Sequence, residues 1–186
     1  MQRFTSSGKE PAGSRTGGAG PYDAGMTVTR RVTVERNRLR FAAAHMATFR
    51  GTCEPLHGHN YDIFLEIEGD LAEDAWVWDF GELKRLAREL AEALDHKFLL
   101  QRESRHLRIT ELDDGWDVGF EERVYRFPKS DVAVLPIDNT TVERLSEWMA
   151  GQLAPVLRSI EGGKFRRLTV GLEEMPGQAG WYTVDL

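Results

Sequence analysis

The stretch His57–Gly69, HGHNYDIFLEIEG, carries a structural and a chemical signal at once. Its run Tyr61–Glu68 is β-rich and stops at Gly69-Asp70, which reads as a strand closed by a turn. His57-Gly58-His59 leads directly into that strand. Alternation puts side chains i and i+2 on one face, so both imidazoles can meet one ion. On the N-terminal side, Val32 and Val34 alternate with polar residues, and Leu39, Phe41 and Ala43 alternate again after the polar break Glu35–Arg38. Two short strands or one bent strand result. On the C-terminal side the period lengthens: Leu83, Leu86, Ala87, Leu90 and Leu94 stand at helical spacing behind Asp79, an N-cap residue, and the helix should end near Asp95-His96.

Further along, Trp116–Phe120 and Val124–Phe127 predict a hairpin inside an insertion covering about 102–136. Thr140 or Thr141 can cap a second helix carrying Val142, Leu145, Trp148, Met149 and Leu153, ended or kinked by Pro155. Leu168, Val170 and Leu172 then alternate, and after a Pro-Gly turn Trp181–Val184 forms the hairpin partner. The order of strands, helix, insert, helix and strands predicts an α+β fold, a largely antiparallel sheet covered on one face by two helices. Residues 1–26, rich in Gly, Ser, Pro and charge, read as a disordered tail ahead of one domain over 27–186. With 24 Lys plus Arg against 30 Asp plus Glu, a net charge of -6, no global positive field draws the chain to nucleic acid or to a membrane surface. No apolar run approaches the roughly 20 residues that span a bilayer, no secretory signal core is visible, and the single Cys53 forms no internal disulfide. A cytoplasmic protein is expected.

Chemistry concentrates between positions 45 and 59. His45 ends the strand Leu39–Ala44, whose alanines allow close approach by a neighbour. Together with His57 and His59 it supplies three neutral imidazoles and leaves one tetrahedral position open, the arrangement of a catalytic zinc site. A His-x-His pair alone is more often a hydrogen-bonded pair, and it is the addition of His45 and a nearby thiol that favours a metal. Cys53 suits a further ligand, a base or nucleophile, or a small buried hydrophobe. Asp95-His96 suits a proton relay or a helix C-cap. Glu174 continues the alternation of Leu168, Val170 and Leu172, which turns a carboxylate toward the apolar face, where it needs a partner: a ligand with two adjacent N–H donors, or an arginine.

These elements together resemble the 6-pyruvoyl-tetrahydropterin synthase and 6-carboxy-tetrahydropterin synthase family. The resemblance is carried by FAAAH (41–45), CEPLHGHNY (53–61), VWDF (77–80) before a helix, LDHKFL (94–99) and the glutamate of VGLEEMPGQAGWY (170–182). It implies a T-fold, in which an antiparallel four-stranded sheet carries two helices, and a homohexamer with sites between subunits. Position by position it implies His45, His57 and His59 as zinc ligands, Cys53 as general base and Asp95 with His96 as proton relay. Glu174 becomes the anchor of the pterin ring, with Thr141 in the substrate loop. The implied reaction converts 7,8-dihydroneopterin triphosphate to 6-carboxy-5,6,7,8-tetrahydropterin, a queuosine precursor, with release of triphosphate and acetaldehyde.

Glu54 opens a rival within the family, since Glu54-Pro55-Leu56-His57-Gly58-His59 resembles the branch that cleaves the dihydroneopterin side chain for folate synthesis. The formation of 6-pyruvoyl-tetrahydropterin is another member activity. A rival of another class is a non-catalytic pterin-binding oligomeric scaffold. The family's Pro-Thr-x-Glu-Asn before the second helix reads Thr140-Thr141-Val142-Glu143-Arg144 here, and the insertion over 102–136 exceeds the short link expected.

Overall fold

Strand alternation decides the packing. In the computed structural model, which describes residues 28–186, the chain runs β1 (Arg30–His45), β2 (Thr48–Phe49), β3 (Thr52–Cys53), β4 (His57–Gly69), α1 (Phe80–Leu94), β5 (Lys97–Gln101), β6 (Arg108–Glu111), β7 (Gly115–Phe120), β8 (Arg123–Pro128), β9 (Val132–Leu135), α2 (Val142–Arg158), β10 (Phe165–Met175) and β11 (Gln178–Asp185). The tail expected over residues 1–26 lies outside the described residues. The main sheet has the order β11-β10-β4-β1-β5-β9. Its first four strands pair antiparallel, which is the expected four-stranded sheet, and the short β5 and β9 extend it by parallel pairing.

Cross-strand partners share a face, so register identifies the core. Phe41 faces Tyr61, Val34 faces Leu65, and Leu65 and Ile67 face Val170 and Leu168. All are buried against α1, through Leu83, Leu86, Ala87, Ala91 and Leu94, and α2, through Leu145, Met149, Ala150, Leu153 and Leu157. Each fully buried Leu or Ile contributes roughly 1.5–3 kcal/mol relative to exposure. The change of phase between Val34 and Leu39 is a bulge in a single bent strand: between the pairs Glu35–Phe64 and Arg40–Asp62, β1 advances further than β4. That returns Leu39, Phe41, Ala43 and finally His45 to the helix face.

Asp79 caps α1 by accepting from the Glu82 N–H at 2.9 Å. Pro155 does not end α2, which continues to Arg158. The proline sits in the last turns, and the bond it cannot donate would have gone to the carbonyl of Gly151, which is exposed and can be hydrated. The segment read as an insertion forms a three-stranded antiparallel sheet, β6-β7-β8, in which β7 and β8 are the expected hairpin and β6 is an added strand. It closes a second apolar cluster of Met46, Cys53, Phe98, Leu100, Leu107, Trp116 and Val118. Phe127 of the insert stacks on Phe98 at 4.1 Å.

Candidate metal and ligand site

His45 pairs with His57 and Ala43 with His59 at the end of the β1–β4 ladder, so all three imidazoles reach the helix face at one edge of the core. Gly58 lets the strands close there, since a Cβ at this position would lie 2.9 Å from the Ala43 carbonyl oxygen. The ligand atoms of His45, His57 and His59 all lie within 4.8 Å of one another.

Hydrogen bonds fix which nitrogens are free. His45 Nδ1 lies 3.0 Å from the Thr140 carbonyl oxygen, and His57 Nδ1 lies 2.8 Å from that of Pro55. A carbonyl only accepts, so each Nδ1 carries the proton and each Nε2 presents a lone pair. The two Nε2 atoms stand 3.2 Å apart. Two lone pairs at that distance repel unless a cation lies between them, and tetrahedral zinc with bonds of about 2.0–2.1 Å separates its nitrogens by about 3.3 Å. The donor set therefore fits zinc. Burial, then the neighbouring His57, lowers the His45 pKa to about 4, so this ligand is neutral near pH 7 without a metal. Behind it, Thr140 Oγ1 donates to Gln101 Oε1 at 3.2 Å and Gln101 Nε2 donates to the Met46 carbonyl at 2.8 Å, a buried chain that orients the ring.

Two carboxylates flank the imidazoles. Glu174 Oε2 lies 4.0 Å from His59 Nε2, and Glu54 Oε2 lies 3.8 Å from His57 Nε2. Tyr61 continues the alternation of His57 and His59, fully buried, and burial followed by the charges of Glu174 and Glu54 raises its hydroxyl well above the usual phenol range. Beside Glu174 a cleft of about 400 Å³ is lined by Arg40, Gly58, Asn60 and Asp62.

Cys53 is buried at the end of β3, with its thiol 3.4 Å from the Glu54 carbonyl, and is not one of the imidazole group. Burial pushes the thiol up, and the Arg123 guanidinium opposes this. Arg123, at the start of β8, donates to the carbonyls of Cys53 at 2.6 Å and Glu54 at 3.1 Å. Asp95 accepts from the Ala42 N–H at 2.8 Å and pairs with His96 Nδ1 at 2.9 Å, and the Ala42 bond is the main reason its carboxyl is held below the usual range. His96 has φ of 57° and an exposed ring. It borders a cleft of about 510 Å³ lined also by Ala42, Ala44, Gly58, His59 and Asn60. A single chain thus gathers His45, His57, His59, Glu54 and Glu174, while Asp95 and His96 pair with each other outside that group. Thr141 caps α2 without a side-chain bond, and its neighbour Thr140 makes the contact to His45. Sequence reading passed over Arg123, for which no local signal exists.

The family model described as 6-pyruvoyl tetrahydropterin synthase matches residues 33–185. A curated relative from Methanocaldococcus jannaschii, "Putative 6-carboxy-5,6,7,8-tetrahydropterin synthase", is 32% identical over 145 residues, covering 77% of this chain and 89% of the relative. The crystal structure of 6-pyruvoyl tetrahydropterin synthase from Plasmodium vivax is 30% identical, with TM-score 0.79, covering 86% of this chain and all of that one. A variant of that protein with its catalytic glutamate changed to alanine matches equally well, at 29% identity, TM-score 0.79 and the same coverage. The sheet and its two helices are accordingly the T-fold of these proteins.

Proposed function

Because the chain belongs to the 6-pyruvoyl tetrahydropterin synthase family, we propose that it is a zinc enzyme that converts 7,8-dihydroneopterin triphosphate to 6-carboxy-5,6,7,8-tetrahydropterin. The observation that carries the metal reading is the 3.2 Å approach of two Nε2 atoms whose Nδ1 partners are both carbonyls. The 6-carboxy product is supported by the names of the curated relatives and by Cys53, four residues before His57. His45, His57 and His59 hold the ion, which supplies Lewis-acid stabilisation to oxygens of the substrate side chain. Glu174 accepts two parallel N–H bonds from the aminopyrimidine edge, and Thr141 belongs to the loop that meets the ring. Cys53 removes a carbon-bound proton, with Arg123 balancing the thiolate charge. Asp95 and His96 relay protons into the site of a neighbouring copy, because in their own chain they stand outside the group of imidazoles and carboxylates; the assembly proposed is a homohexamer.

A second reading rests on Glu54, whose carboxylate stands 3.8 Å from His57 Nε2. It is favoured by the Plasmodium vivax relative with a catalytic glutamate. Product analysis separates the readings. Zinc-loaded protein incubated with 7,8-dihydroneopterin triphosphate should yield the 6-carboxy product by mass. Cys53→Ala should lose roughly 10²–10⁴ in rate with zinc retained, and Glu54→Ala should keep most activity. The reverse pattern with a side-chain-cleaved pterin would establish the second reading, and binding without any product would leave a scaffold.

A further inference from the structure

We propose that Asn139 is a positioning residue for two parts of the site at once, its side-chain amide holding the Cys53 hairpin and the His45 imidazole in one frame. The inference rests on the zinc and Cys53 reading above and adds to it a residue that acts through others. Asn139 stands half-buried in the loop between β9 and α2, 91 positions along the chain from Thr48. Its Oδ1 accepts the Thr48 N–H at 2.9 Å, and its Nδ2 donates to the Thr48 carbonyl at 2.8 Å. A backbone N–H only donates and a carbonyl only accepts, so this pair of bonds fixes the orientation of the amide. The same Oδ1 accepts the Thr140 N–H at 3.0 Å. One side chain thus serves backbone groups of two separate segments, lying beside β2 as a further strand would.

Each segment carries one group of the site. Thr48 is the cross-strand partner of Cys53, in a hairpin whose strands are two residues long and too short to hold themselves. Arg123 grips this hairpin through the carbonyls of Cys53 and Glu54, and Asn139 grips it from the Thr48 side. Thr140 presents its carbonyl to His45 Nδ1 at 3.0 Å, the bond that leaves Nε2 free for a metal. Thr48 and Thr140 are both buried, so backbone groups deprived of the amide would lose their partner away from water. Asparagine is the residue type that fits: an aspartate would match the two N–H donors but set an oxygen against the Thr48 carbonyl.

That difference separates the two arms. On the zinc-loaded full chain, zinc affinity is read by competition with a chromophoric chelator. The hairpin is read by hydrogen exchange of the Glu54 N–H, which bonds across it to the Ala47 carbonyl. Asn139→Asp keeps the acceptor for Thr140, so zinc affinity and KM should stay within about twofold of wild type. Its Glu54 N–H should exchange about fivefold faster, the equivalent of one ordinary hydrogen bond, and kcat should fall roughly tenfold as the thiol loses its placement. Asn139→Ala removes both arms, so zinc affinity should fall about tenfold as well. A solely structural side chain would lower the unfolding midpoint of both variants and leave zinc affinity and kcat of the folded protein where they were. Unchanged kcat or Glu54 exchange in Asn139→Asp, unchanged zinc affinity in folded Asn139→Ala, or equal zinc loss in the two variants overturns the assignment. Should Asn139→Ala not fold, Asn139→Asp alone decides. Wild-type protein that takes up no zinc or turns over no pterin would sink the function proposed above and this residue with it, whereas an active wild type with indifferent variants would sink the positioning role alone.

Discussion

His45 shows how burial prepares a ligand before any ion arrives. Its folded pKa is about 4 against an ordinary histidine value of 6.5, through desolvation first and His57 second. An unfolded chain takes up this proton below about pH 6.5 and the folded chain only near pH 4, so the unfolded state binds more protons in that window. Stability is therefore complete above pH 6.5 and falls as pH drops toward 4. For chelator-treated protein the His45 share of the loss between pH 7 and pH 4.5 should be roughly 2–3 kcal/mol. Denaturant titrations of wild type and His45→Gln at both pH values would measure it, and equal pH slopes in the two proteins would refute it. The three histidines were legible in sequence because strand period alone aligns His57 with His59 and ends the preceding strand at His45. Tyr61 obeys the same period, yet an aromatic residue in an apolar run reads as core, and only coordinates reveal an unpaired hydroxyl.

At the level of elements, alternation exposed β1 and β10, β-rich composition exposed β4, a Pro-Gly turn exposed β11, and helical spacing exposed α1 and α2, whose apolar residues pack on the sheet. β5 escaped such a reading. Leu99 enters the main core while Phe98 and Leu100 enter the second cluster, so Lys97–Gln101 is buried on both sides and shows no period. The insert was visible as a hairpin but its role was not, because Arg123 meets the Cys53 turn only through tertiary folding, 70 residues along the chain. That contact makes the insert part of the thiol's environment. Burial raises the Cys53 pKa and Arg123 lowers it, so Arg123→Gln should raise it further. The pH profile of iodoacetamide alkylation should move to higher pH, with rates at pH 8 falling several-fold and zinc content unchanged. Arg123→Lys should restore part of the charge effect but not the two-carbonyl fork. An unmoved profile in Arg123→Gln would leave the insert a structural cover only.

For the whole molecule, what one chain leaves unfinished is most informative. The face of the sheet away from the helices carries an ion-pair ladder, with Arg31 on Glu66 at 3.2 Å and Arg167 between Glu68 at 3.7 Å and Asp185 at 3.3 Å. Trp181 is exposed on this face beside Phe64. β11 ends the sheet with an unpaired edge among the described residues, the kind of edge that another chain can extend. Asp95 is anchored to the Ala42 N–H, and His96 borders a cleft with Ala42, Ala44 and His59. If the relay serves a neighbour, a Cys53→Ala chain and a His96→Ala chain are each inactive in pure oligomers for different reasons. Unfolded together and reassembled in equal amounts, they should regain about one quarter of wild-type activity per site, since in a closed symmetric assembly one contact in four joins an intact Cys53 to a neighbour's intact His96. Recovery at that level requires two chains to build each site. No recovery in mixed oligomers shown by mass to contain both chains would return the relay to its own subunit, across the cleft that His96 and His59 both line.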